Sequence, residues 1–148
     1  MKPLSEETIK ILKQSGWYPG RNIDIQDTID FLLSKRYTLF PHSIKILSEF
    51  SEIEYKFDHP NGRIESFHMI PKMALGDYYE KEDFEEIERR VNEPLIPIGE
   101  ACRGNMIMFL SETGKIYGET GYYLEKFGDN IYEALENLCL FKQGEEIE

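Results

Sequence analysis

Cysteine is scarce in this sequence: only Cys102 and Cys139 occur among 148 residues, and they lie far apart. That spacing excludes a disulfide framework and a cysteine-based zinc centre, and both thiols read as reduced core residues. Histidine is nearly as rare, with His42, His59 and His68 the only three. No apolar run approaches the ~20 residues of a membrane-spanning helix. The opening Met1-Lys2-Pro3-Leu4-Ser5-Glu6-Glu7 lacks the hydrophobic stretch of a signal peptide. A cytoplasmic location away from membranes is therefore expected. A glycine-rich phosphate loop and a nucleophile elbow are also missing.

Positive charge is the other shortage. Lys plus Arg number 17 against 28 Asp plus Glu, a net charge of -11, and the surplus is concentrated in two segments. Residues 76 to 93 hold eight acids against three bases, and residues 128 to 148 hold six acids against Lys142. Such a field repels nucleic-acid phosphates and anionic lipid and steers a basic partner toward the acidic face.

What is present is ample material for a core. With 41% hydrophobic and 13% aromatic residues, a chain of this length hides roughly 70% of the surface of its unfolded form. One domain over residues 1–148, without disulfides or metal, is the expectation.

Ser5 caps a first helix whose initial turn holds Glu6 and Glu7, and Gly16 suits its C-terminal end. A second helix begins at Asp24, with Ile25, Ile29, Leu32 and Leu33 forming a half-buried stripe closed by Lys35 and Arg36. A shorter helix follows Pro41. From Ile53 the period changes to two, and two strands flank His59-Pro60-Asn61-Gly62. A four-residue loop sets Asp58 opposite Arg63 and Lys56 opposite Glu65, and cross-strand charge pairing favours it over the two-residue Asn-Gly turn. An acidic helix runs from Lys81 to Asn92, with Phe84, Ile87 and Val91 inward and Pro94 and Pro97 ending it. Leu95–Ala101, Asn105–Ser111 and Lys115–Glu119 read as strands, with a short aromatic strand around Tyr122, Tyr123 and Leu124. The last helix starts at Gly128 and Asp129, and residues 144 to 148 form a frayed acidic tail. The result is an α+β domain: a central, mainly antiparallel sheet flanked by N-terminal helices, an acidic middle helix and a C-terminal helix.

Candidate chemistry is thin. Glu65 and His68 have the Glu-x-x-His spacing, but such metal sites need the pair on helices with companions, and on a strand the two point to opposite faces. No metal, cofactor or catalytic residue is assigned. Gly16-Trp17-Tyr18-Pro19-Gly20-Arg21 places the sole tryptophan and an arginine in a structured turn. An aromatic beside an arginine suits either an interaction hot spot or a fold-holding corner, and the corner is favoured. Tyrosines bordering the acidic segment suit a protein interface.

This turn, placed between two helices, resembles the third subfamily of the SUKH superfamily of bacterial immunity proteins. The order of elements through Pro97-Ile98-Gly99-Glu100-Ala101, Asn105–Leu110, Thr113-Gly114-Lys115-Ile116-Tyr117-Gly118 and the closing helix is similar to that family over nearly the whole chain. The resemblance implies a non-catalytic protein-binding scaffold that neutralises a polymorphic toxin, often a nuclease, in the cytoplasm. It implies that Gly16, Trp17, Pro19, Gly20 and Arg21 maintain the fold, and it transfers no toxin-contacting residue. Because nucleic-acid-cleaving toxins need basic clefts, the expected docking residues are Asp77, Tyr78, Tyr79, Glu82, Asp83, Glu85, Glu86 and Glu88. A regulatory or scaffold interaction module with a non-toxin partner is the alternative.

Overall fold

A computed structural model describes residues 4–121 and 123–147. Its first helix, α1 (Glu6–Ser15), starts where Ser5 Oγ accepts the Thr8 N–H over 3.3 Å. It stops at Gly16, whose φ of 120° places it where side-chain-bearing residues are strained. There Gly16 N–H reaches the Lys13 carbonyl and Trp17 N–H reaches the Leu12 carbonyl, the paired bonds of a Schellman stop.

Helix α2 (Gln26–Ser34) begins two residues later than expected, because Asp24 Oδ1 accepts the Gln26 N–H in a turn before the helix. Ile25 and Leu32 are buried as the stripe requires, but Leu33 is 53% exposed. The same kind of paired stop closes α2 with Arg36 at φ 70°, so an arginine stands where glycine is usual. Helix α3 (Pro41–Phe50) has proline at its first position, and its ten residues run through Ile44, Leu47 and Phe50.

The hairpin β1 (Glu54–Asp58) and β2 (Ile64–His68) corrects the expected register by one residue. Asp58 faces Ile64, Lys56 faces Ser66 and Tyr55 faces Phe67, with the last two rings stacked 4.8 Å apart. His59 N–H donates to the Arg63 carbonyl, and Gly62, at φ 88°, closes a three-residue turn through Pro60 and Asn61. Burial of an aromatic pair outweighs the exposed charge pairs that favoured the longer loop, since surface ion pairs contribute ~1 kcal/mol or less.

A short helix, α4 (Pro71–Leu75), then precedes the acidic segment, which is a 3-10 turn (Lys81–Phe84) running into α5 (Glu85–Val91). Strands β3 (Leu95–Ala101), β4 (Met106–Ser111), β5 (Ile116–Glu119) and β6 (Leu124–Gly128) follow the expected order, and Pro97 lies inside β3 at a bulge rather than ending a helix. Gly128 closes β6, so α6 (Ile131–Cys139) starts later than expected, capped by Asn130. The tail is partly ordered: β7 (Glu145–Glu146) pairs with β6. Tyr122 lies outside the described residues.

The seven strands form one antiparallel sheet in sequential order. Helix α1 packs on β1, α6 on β6, and α4 on β3. Strand β4 is buried along its whole length, which requires cover on both faces. Cys139 is buried and Cys102 exposed, so only one thiol is the core residue expected of both. At Gly99 an added Cβ would lie 1.9 Å from the His68 carbonyl oxygen, so only glycine lets β3 approach β2 there.

Candidate functional site

The turn after α1 is a fold-holding corner. Trp17 is 6% exposed, stacks on Phe50 at 6.0 Å and donates its indole N–H to Glu49 Oε2 over 3.1 Å. Arg21 donates from Nη1 to the carbonyls of Glu49 and Ser51, each at 2.8 Å, which ties this turn to the end of α3. Gly20 supplies a φ of 81°, and Tyr18 and Pro19 face solvent.

In the acidic segment the anchors are apolar and most of the charges face out. Phe84 and Ile87 are buried, and the Phe84 ring packs edge-on against Phe109 of β4 at 5.0 Å. Asp83 Oδ2 accepts the Glu80 N–H at 2.8 Å and fixes the start of the 3-10 turn. Glu88 turns inward, with Oε2 accepting the Leu95 N–H at 3.1 Å. Two bases arrive from the end of α2: Lys35 pairs with Glu80 at 3.3 Å and donates to the Tyr79 carbonyl, and Arg36 pairs with Glu82. The Arg36 guanidinium holds the Glu82 carboxyl below the usual carboxylate range. Of the eight expected docking residues, Asp83 and Glu88 thus also organise the backbone and Glu82 carries a counter-charge. Asp77, Tyr78, Glu85 and Glu86 are exposed, Tyr78 by 90%.

Sequence reasoning missed the carboxylates beside this segment. Register places Glu100 of β3 opposite Ile107 of β4, and Ile107 opposite Glu119 of β5. The three therefore form one cross-strand row, with the two acids two strands, or roughly 10 Å, apart at the backbone. Together with Tyr78, Tyr79 and Asp83 they line a hollow of about 460 Å³. Burial pushes the Glu119 carboxyl up. Glu100 is oriented by His68, the next residue in the row: His68 Nδ1 accepts the Ile70 N–H, so the ring proton is on Nε2, which donates to Glu100 Oε1 over 2.8 Å. The available signal was weak, a single acid near the end of each of two otherwise apolar strands.

This geometry presents carboxylates and tyrosines but no free imidazole: both nitrogens of the buried His68 are engaged. Among the described residues, no group of three His, Cys, Asp or Glu side chains is arranged to hold a metal ion. No helix among them is long and apolar enough to cross a membrane. A family model described as SUKH-3 immunity protein matches residues 4–141. The chain belongs to the SUKH-3 immunity protein family. No curated protein and no solved structure matches the chain. The corner at Trp17 and Arg21 stands within the matched span. Family membership directs attention to surfaces able to hold a partner, because an immunity protein acts by binding a toxin.

Proposed function

We propose that this chain binds a cognate toxin domain and blocks it without catalysis, as one immunity domain acting in the cytoplasm. The toxin-facing surface is the acidic segment with Asp77, Tyr78, Tyr79, Glu82, Asp83, Glu85, Glu86 and Glu88, extended by Glu100 and Glu119 in the adjoining hollow. The observation that supports this reading is the hollow's lining: three carboxylates and two exposed tyrosines converge on one concave surface. A basic side chain entering it meets carboxylates on both sides, while the tyrosines supply rigid apolar area at small entropic cost. A nuclease is the favoured toxin class, since its own basic cleft for phosphates matches this surface, and attraction between the two accelerates encounter.

The test is co-expression with candidate toxin domains from the genome that encodes this chain, followed by size-exclusion of each pair. Rescue of growth and a shared peak are expected. A quadruple variant, Asp77→Lys, Glu82→Lys, Glu85→Lys and Glu86→Lys, should slow association and flatten its salt dependence. Unchanged low-salt affinity in that variant refutes the acidic face as the dock, and toxicity without rescue or co-elution favours a scaffold role with another partner.

A further inference from the structure

A second hollow, of about 400 Å³, opens beyond the C-terminal end of α6, between the β1–β2 hairpin, β6 and the chain that follows α6. Aromatic side chains form much of its wall. Phe57 and Phe67 come from the hairpin, Tyr123 and Phe127 from β6 and the residue just before it, and Phe141 from the turn after α6. The Phe57 ring meets Phe67 edge-on at 6.0 Å and Phe141 at 5.4 Å, so three of these rings form a continuous surface. Alternation along a strand places residues two apart on one face. Tyr123, Glu125 and Phe127 accordingly line the same hollow, and a carboxylate stands between two rings.

Glu125 is unusual in that position. It is 8% exposed, and its hydrogen bond among the described residues is from the Gly144 N–H to Oε2, at 2.5 Å. No lysine or arginine among the described residues lies within ion-pair distance of it. Lys142 borders the hollow without pairing with it, and the other acid of the lining, Glu65, is already met by Arg103 at 3.8 Å. A buried carboxylate without a counter-charge is costly, and the faces of aromatic rings attract cations. Both features select the same occupant. An anion would be repelled by Glu125, and a neutral apolar group would leave the carboxylate unpaired.

We propose that this hollow binds an alkylammonium group, its positive nitrogen directed toward Glu125 and its methyl or methylene groups against Phe57, Phe127 and Phe141. The group can belong to a small quaternary or primary amine, or to a lysine side chain of a protein. This site is separate from the acidic segment and does not depend on how a toxin docks there.

The test follows amide resonances of the full-length protein by NMR during separate titrations with choline, with Nα-acetyl-lysine methylamide and with 3,3-dimethylbutan-1-ol, the uncharged carbon isostere of choline. Saturable shifts at residues 123–127 and 141–144 are expected for the cations, with choline bound at least about tenfold more tightly than the alcohol. Tighter binding of choline assigns the site to a small quaternary ammonium, and tighter binding of the lysine derivative assigns it to a protein side chain. Glu125→Gln should weaken the cations by about tenfold and leave the alcohol unchanged. Because that change also touches the Gly144 contact, Phe141→Leu at the exposed rim is the second variant, and it should weaken choline while the fold is retained. No saturable shift with either cation, equal binding of choline and the alcohol, or affinity untouched by both substitutions overturns the proposal.

Discussion

Arg21 Nη1 lies 2.8 Å from the carbonyl oxygen of Ser51, the residue at which α3 stops, and equally close to that of Glu49. One guanidinium nitrogen, with its two hydrogens, therefore satisfies two acceptors at a helix C-terminus, where orphan carbonyls and the helix dipole both favour a cation. Replacing Arg21 with Met should cost about 2 kcal/mol in urea unfolding, since it leaves those acceptors without a charged donor. The same variant, where folded, should bind its partner with unchanged affinity, which separates the corner from the acidic surface.

Gly99 carries the close approach of β3 to β2. Gly99→Ala would put a methyl carbon 1.9 Å from the His68 carbonyl oxygen, a backbone atom with no room to yield. A loss of about 3 kcal/mol is expected. Amide exchange should quicken in the β1–β2 hairpin before it does in β4 and β5.

Glu136 ties α6 to the start of α1, with Oε1 accepting the Ser5 N–H at 2.6 Å. Burial pushes this carboxyl up, but hydrogen bonds from Ser5 and Thr8 outweigh it and hold the group below its usual range. A carboxyl depressed by folding contributes stability above its unfolded pKa and loses it as pH falls through the folded value. Glu136→Gln should therefore cost about 1 kcal/mol at neutral pH and make the acid limb, from about pH 5 downward, shallower. Equal slopes in the two proteins would exclude this role.

Tyr78 is 90% exposed and should matter to binding alone. Tyr78→Ala is expected to change unfolding free energy by less than about 0.5 kcal/mol. It should weaken the toxin complex by about tenfold, as read by calorimetry, if the tyrosine is a contact anchor.

The two thiols should separate cleanly in labelling. Cys139 is buried and its thiol is pushed up to about 12 by that burial, whereas Cys102 lies in an exposed turn, with partial shielding raising its thiol as well. Slow modification of one thiol in the folded protein, and of both in denaturant, is expected from mass spectrometry. Rapid labelling of Cys139 under native conditions would contradict the packing of α6.

The sequence by itself determined the local features. The Ser5 cap, the Gly16 stop, the β3 limits at Leu95 and Ala101 and the α+β order follow from bonds and periodicities that act within a turn or a single strand. The start of α2 was displaced because Asp24 closes a turn before the helix, whereas its stop at Lys35 and Arg36 was legible even though Arg36 holds a conformation usually given to glycine. Only tertiary structure decided the hairpin register, where stacking of Tyr55 on Phe67 overrode the charge pairing visible in the sequence. Only tertiary structure brought Lys35 and Arg36 onto the acidic segment, lowering its excess charge, and set Glu100 and Glu119 in one row beside it. These outcomes depend on contacts between segments distant in the chain, whose energies are comparable to those of the local alternatives they displace and are decided by burial.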